Sequence, residues 1–500
     1  MPKFSSKSVL MSLTIAAIVF ISGAGADEMN LPDMGSPADA ILSINEEAQY
    51  GRSIMRDIRN SGMVVEDPLV NEYINEIGSR IASQTSDGDR DFTFFVIEDH
   101  QINAFALPGG YVGVHTGLLE ASRSEDELAG VLAHEVAHVT QRHIARAIHA
   151  SSRQSLLSTA IMLGAMIAGA AGAGGDVMQA GMAVAQGTAA QAQINFTRSN
   201  EHEADRVGIS AMADAGFDPY GMASFFDVMS RQNTRAPDER APAFLMTHPV
   251  TSSRIAEARD RARHFPQVKS DDSISYGIAK IRITVERFET AKEAVAHFER
   301  RPYQNQNDLE RYGRLLAYLR AGSYWQALDI IEFLVNKSPE VIAYHIALGD
   351  TQVALGRHDD AQKTFEEAIK LFPRNVPLVI AYGERLLELD QPEKAHTLLL
   401  DLLNNVPPTP NQARLIARAA SEAGENAESL YYLSEYRLMI GDLVGGVSYL
   451  QQALRLPELQ EIQRIRFEAR IDFIREFMTE EQLRRMQRPP PSGKSARNEV

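Results

Sequence analysis

The 500-residue chain contains no cysteine. That excludes a disulfide framework, a thiolate metal site, a thiol nucleophile and a lipidated cysteine. Positive charge is also in short supply: 50 lysines and arginines face 66 acids, for a formal net charge of -16. A nucleic-acid binder needs a basic patch, so no nucleic-acid partner is expected. Hydrophobic residues at 44% and charged residues at 23% are ordinary values, which excludes wholesale disorder. The length allows two or three domains with a sizeable core.

Long apolar runs are scarce, and the first is N-terminal. Lys3 and Lys7 precede the run from Val9 to Ile21, and Ala24-Gly25-Ala26 fits the small-residue pattern cut by signal peptidase. The run is short for a span of ~20 residues. A cleaved signal peptide over residues 1–26 is therefore expected rather than a membrane anchor. Cleavage near Ala26 removes two lysines and leaves a more acidic, soluble product outside the cytoplasm, for which a bacterial periplasm fits best.

Two halves with different patterning follow. Over residues 45–265 helices mix with a few strands. Asp91–Glu98, Ile102–Leu107 and Tyr111–His115 read as strands, with Pro108-Gly109-Gly110 as a turn, giving a small antiparallel sheet built as a meander. Ser124-Glu125-Asp126-Glu127 has the form of a capping box and starts a helix ten residues before His134. Over residues 280–487 strand signals nearly vanish. Ala327, Ala361 and Ala395 recur every 34 residues, as do Pro339, Pro373 and Pro407. Around the central copy, Leu348-Gly349, Gly356, Ala361, Phe365, Ala368 and Pro373 match the tetratricopeptide pattern, in which small residues let paired helices approach. After Pro410 the register slips, and a helix added near Asn411–Ala423 explains the slip. Such arrays are interaction surfaces rather than catalysts. Residues 488–500 read as a disordered tail.

The chemistry centres on His134-Glu135-Val136-Ala137-His138. Positions four apart share one helix face, so His134 and His138 can present two imidazoles to one metal. Glu135 is rotated away from the ion but within reach of water beside it. Zinc lowers the pKa of such water toward neutrality, and a carboxylate can take its proton during attack on a peptide carbonyl. Five residues arise by chance, so the context matters: Leu128, Val131 and Leu132 lay an apolar stripe along the same helix. A third ligand is sought in Ser199–Gly216. Ala204, Val207, Gly208, Ala211, Met212 and Ala215 mark a buried face with Glu201 and Asp205 beside it, while Glu203 falls on a solvated face with Arg206. Two inward carboxylates need a cation. Glu201 is assigned as ligand and Asp205 as the residue that orients a ligand histidine or donates a proton; His202 is the weaker alternative ligand. His143 and His149 sit off the ligand spacing and are expected to be exposed.

His134-Glu135-Val136-Ala137-His138, Glu201-His202-Glu203-Ala204-Asp205-Arg206 and Thr247-His248-Pro249 together resemble peptidase family M48 in order and spacing, and in particular its soluble periplasmic branch. The resemblance spans nearly the whole chain after the signal segment. It implies a mainly α, zincin-like α+β peptidase domain followed by an all-α repeat solenoid, with one Zn2+ per chain. It implies that His134, His138 and Glu201 bind the zinc, that Glu135 is the general base, and that Asp205 assists. It further implies that the clients are unfolded or stalled outer-membrane β-barrel proteins and that the repeats dock on the barrel-assembly machinery.

Several readings stay open at this level. His248, in an extended or loop segment before Pro249, either donates to the oxyanion of the reaction or fills the open zinc position and holds the enzyme latent. Arg254 offers positive charge nearby. Asn103–Leu107 is either the sheet edge that receives a client strand or an ordinary core strand. The stretch from Ser155 to Gln193, dominated by Ala, Gly and Met, is a lid, a hairpin touching a membrane surface, a buried helix pair or a membrane span. Besides the protease, an assembly chaperone with latent proteolysis and a membrane-embedded member of the same family are therefore the alternatives.

Overall fold

The computed structural model describes residues 42–85, 90–150, 188–235, 242–268, 271–403 and 408–486. The expected signal segment, residues 155–187 of the Ala/Gly/Met stretch and the tail at 488–500 lie outside the described residues. Among the described residues no helix is long and apolar enough to cross a membrane.

The N-terminal half begins with helices α1 (Ile44–Asn60) and α2 (Pro68–Ala82), followed by strands β1 (Thr93–Ile97), β2 (Ala104–Leu107) and β3 (Tyr111–His115). The expected strands are present, but the sheet is mixed rather than an antiparallel meander. Its order is β1-β3-β2, with β1 parallel and β2 antiparallel to β3. The Pro108-Gly109-Gly110 turn fixes only the β2–β3 pairing. A Cβ at Gly110, whose φ is 84°, would lie 2.0 Å from the Asp91 carbonyl oxygen, so only glycine fits the turn. The connection over residues 98–103 reaches up to ~20 Å, ample to carry β2 across two strand spacings of ~4.8 Å. β2 is thereby an edge strand, while the far edge of β1 is covered by residues 63–65 through Val65 N–H to Val96 O (2.9 Å).

After α3 (Thr116–Ala121) comes α4 (Glu125–Thr140), the histidine-motif helix. Ser124 caps it by accepting from Glu127 N–H at 3.3 Å. The reciprocal half of the capping box is missing, because the Glu127 carboxylate accepts from Arg123 N–H (2.8 Å) and the Arg123 guanidinium instead. Helix α4 is buried on nearly every side. It packs against α6 (Thr188–Asp214), α7 (Tyr220–Arg235) and β2, and is followed by the short α5 (His143–Ala150). At Gly208 of α6 an added Cβ would sit 3.0 Å from the Ala133 backbone, so the glycine lets α6 approach α4 closely. Helices α8 (Ala243–Thr247) and α9 (Ser252–Ala262) complete this half.

Helix α10 (Ile274–Glu286) and α11 (Ala291–Glu299) lead into the repeats. These pair α12 (Asp308–Arg320) with α13 (Tyr324–Lys337), α14 (Ile342–Ala354) with α15 (His358–Leu371), and α16 (Val376–Glu388) with α17 (Pro392–Leu403). Ala327, Ala361 and Ala395 are all buried at the pair contacts, and Phe365 packs where a Cβ at Gly349 would stand 2.4 Å from its ring. The register slip coincides with α18 (Pro410–Glu422), after which α19 (Asn426–Met439), α20 (Leu443–Ala453) and α21 (Glu461–Glu476) continue the array. The repeats curve back over α1 and α2. Asn375 Nδ2 donates to Glu72 Oε1 (3.0 Å), Arg282 Nε to Asp67 Oδ2 (2.6 Å) and Arg59 Nη1 to Met439 O (3.4 Å). Between the halves lies a cavity of about 3120 Å3, lined among others by Glu76, Tyr111, Ile380, Arg414 and Tyr449.

Candidate metal centre

Helical spacing puts His134 and His138 on one face of α4, and their Nε2 atoms stand 3.0 Å apart. Glu201 enters from α6, with Oε2 3.4 Å from His134 Nε2 and Oε1 3.4 Å from His138 Nε2. His248 follows the last turn of α8. Its Nδ1 lies 3.2 Å from His134 Nε2 and 3.1 Å from Glu201 Oε2. One ligand atom from each of the four residues falls within 4.8 Å of all the others. Tetrahedral zinc with bonds of about 2.0–2.1 Å would hold neighbouring donors about 3.3 Å apart. The measured separations of 3.0–3.4 Å, together with three imidazoles and one carboxylate, fit that ion.

Every member is buried or nearly so, and the charges are arranged accordingly. His134 is fully buried, which works against a charged ring, yet the Asp205 and Glu201 carboxylates push it up to about 9. Burial, reinforced by the charges of His134 and His248, pulls His138 down to about 3, leaving a neutral ring with a lone pair to give. Glu201 is held well below the usual carboxylate range: burial opposes ionisation, but the surrounding His248, His134 and His138 outweigh it. Asp205 is held low in the same way by Arg254 and His134.

Asp205 sits one turn beyond Glu201, with Oδ1 2.9 Å from His134 Nδ1, on the side of the ring away from the cluster. Arg254, expected only to add charge nearby, is 2% exposed and grips both acids. It donates to Asp205 through Nε and Nη2 (each 2.7 Å) and to Glu201 through Nη1 (2.9 Å). Glu135 is 1% exposed; its Oε1 makes no hydrogen bond among the described residues and lies 3.5 Å from His248 Nε2. His202 points elsewhere, pairing with Glu257 at 2.8 Å, and is not among the clustered donors.

Two expectations need correction. His143 is buried rather than exposed, and Glu203 is paired rather than solvated: His143 Nδ1 is 2.9 Å from His138 Nδ1, and Arg146 Nη1 donates to Glu203 Oε2 at 2.8 Å. The helical phase misled because α4 ends before His143. Arg142 between the two helices has φ 52°, a left-handed turn that a sequence of ordinary helix formers does not announce. The side chain of His149 lies outside the described residues.

Residues 68–262 match Peptidase family M48, and residues 352–419 match the tetratricopeptide repeat. The chain is 32% identical over 481 residues to the β-barrel assembly-enhancing protease of Escherichia coli, covering 94% of this chain and 97% of that one. A Vibrio cholerae protein named for the same activity is 36% identical over 483 residues, with the same shares of both chains covered. A mitochondrial metalloendopeptidase of Schizosaccharomyces pombe shares 32% identity over 205 residues, 41% of this chain and 56% of that one. Likeness that runs through both halves settles kinship: the chain belongs to peptidase family M48, and it is a zinc metalloendopeptidase carrying tetratricopeptide repeats.

Proposed function

We propose that this endopeptidase works in the periplasm on misfolded or stalled outer-membrane β-barrel proteins, and that its repeats bring it to the barrel-assembly machinery. The observation that carries the reading is the convergence of His134, His138, Glu201 and His248 around one point with Glu135 beside it. The names of the full-length relatives support the client class. The cavity shared by the peptidase and repeat halves supports a docking role for the repeats.

His134, His138 and Glu201 would hold one zinc, which when bound supplies Lewis acidity toward a peptide carbonyl and acidifies water at its side. Glu135 takes a proton from the attacking water and passes it to the leaving amine. Asp205 steadies the His134 ring, and Arg254 offsets the two buried acids. A client enters as a strand along β2, the edge strand among the described residues, read by its backbone rather than its side chains. His248 stands at rest in the fourth donor position and keeps the enzyme latent. Its segment is tied to the approach to β2 by Phe244 N–H donating to Ile102 O (3.1 Å), so a client adding there disturbs the latch.

Glu135→Gln should abolish client cleavage, by about 10^2- to 10^4-fold, while zinc content and fold persist. Client degradation and client assembly that both survive this change would sink the enzyme reading in favour of an assembly scaffold. His248→Ala should raise basal cleavage of an unfolded client; loss of cleavage would instead assign His248 to the oxyanion.

A further inference from the structure

The two histidines of the metal-binding helix are backed differently. His134 meets a carboxylate directly, Asp205 Oδ1 at 2.9 Å from its Nδ1. Behind His138 stands a second imidazole: His143 Nδ1 is 2.9 Å from His138 Nδ1, and His143 Nε2 is 3.2 Å from Glu203 Oε2. We propose that His143 and Glu203 are positioning residues for the metal centre, with Glu203 acting through His143 to fix the ring of His138. This rests on the zinc reading of His134, His138 and Glu201.

The contacts allow one arrangement of protons. A histidine that binds metal through Nε2 carries its proton on Nδ1, and that N–H must donate. His143 Nδ1 is then the acceptor, its own proton sits on Nε2, and Nε2–H donates to Glu203. Arg146 Nη1, 2.8 Å from the same Glu203 oxygen, keeps the carboxylate charged and in place. Both ligand histidines thus end on a carboxylate, one directly and one through an intervening ring.

The backbone shows how His143 comes to be there. Five residues beyond His138, an unbroken helix would turn it to another face. The chain breaks at Arg142, in a left-handed conformation that costs a non-glycine residue on the order of 1 kcal/mol. Glu47 holds this arginine from α1, accepting from Nη2 at 2.9 Å and Nε at 3.1 Å, and Leu42 O accepts from Nη2 at 2.7 Å. The turn returns His143 against His138, where it is 4% exposed with both nitrogens partnered.

Removing such an outer partner weakens metal binding by about 10- to 100-fold. The test is the zinc affinity of the full chain, measured by competition with a chromogenic chelator, with the melting temperature of the metal-free protein as a folding control. His143→Leu should bind zinc about 10- to 100-fold more weakly while the metal-free protein stays folded. His143→Gln, whose amide oxygen can still accept from His138 Nδ1–H, should recover most of that loss. Affinity of His143→Leu within about twofold of the parent, or no recovery in His143→Gln, overturns the proposal. If His143→Leu does not fold, Glu203→Ala is read in its place: weaker zinc supports the relay and unchanged zinc overturns it. A parent chain that takes up no zinc would bring down the zinc reading itself, a result separable from the others.

Discussion

The peptidase half gathers most of its apolar core into one large cluster that draws residues from Val70 to Ile283, with smaller clusters beside it around Met55 and Leu42, whereas the repeat half divides its core into clusters of more even size along the chain. Their buried polar groups differ as sharply. Among the described residues, the peptidase half buries Glu135, Glu201, Asp205 and Arg254 beside its histidines, while the repeats bury hydroxyls, amides and two histidines. A buried charge is costly unless every neighbour compensates it, and compensation requires partners from several directions at once. Here α4, α6 and α9 each supply one or more. The repeats need only stack on their neighbours, so each copy answers to a short list of contacts. The metal centre sits in the half where long-range packing is strictest, and the half built by stacking carries no such cluster of buried charges among the described residues.

That contrast can be broken most directly at Arg254. Arg254→Leu leaves Asp205 and Glu201 as buried acids without their cation, and should cost about 3–5 kcal/mol in denaturant unfolding along with zinc content. A loss below about 1 kcal/mol would mean that the acids are not held as a unit. Next comes Phe365→Ala, which empties a fully buried position stacked on Tyr382 and should cost about 3–5 kcal/mol, but within the repeats. Calorimetry should then show the repeat half melting ahead of the peptidase half, with zinc retained. Joint melting would show that the halves are one cooperative unit. The smallest effect is expected at the seam. Burial, only partly offset by Asn375, pushes Glu72 up to about 7. A carboxyl whose pKa is raised on folding favours the folded state below its unfolded value and loses that contribution as pH rises through about 7. Docking of α16 on α2 should therefore weaken between about pH 4.5 and 7, and Glu72→Gln should flatten the pH dependence of the melting temperature. An identical pH profile in the variant would remove Glu72 from the seam's energetics.

Much of the centre was legible because helical periodicity is a local property. Four-residue spacing pairs His134 with His138, and the same phase places Glu201 and Asp205 beside the buried face of α6. The 34-residue period likewise exposes the repeats, since each copy restates the same small and aromatic positions. His143 escaped because its position depends on one left-handed residue, and Glu203 because its partners arrive from α5.

By itself, then, the sequence determined the elements: which segments are helices, which residue types carry metal chemistry, and the 34-residue period of the repeats. Tertiary structure decided the joins. It ran β1 parallel to β3, because a tight turn specifies only the strands it connects. It brought His248 within 3.2 Å of His134 across 114 residues, and it closed Arg254 over two acids. Such contacts follow from packing a whole core, and no local period encodes them.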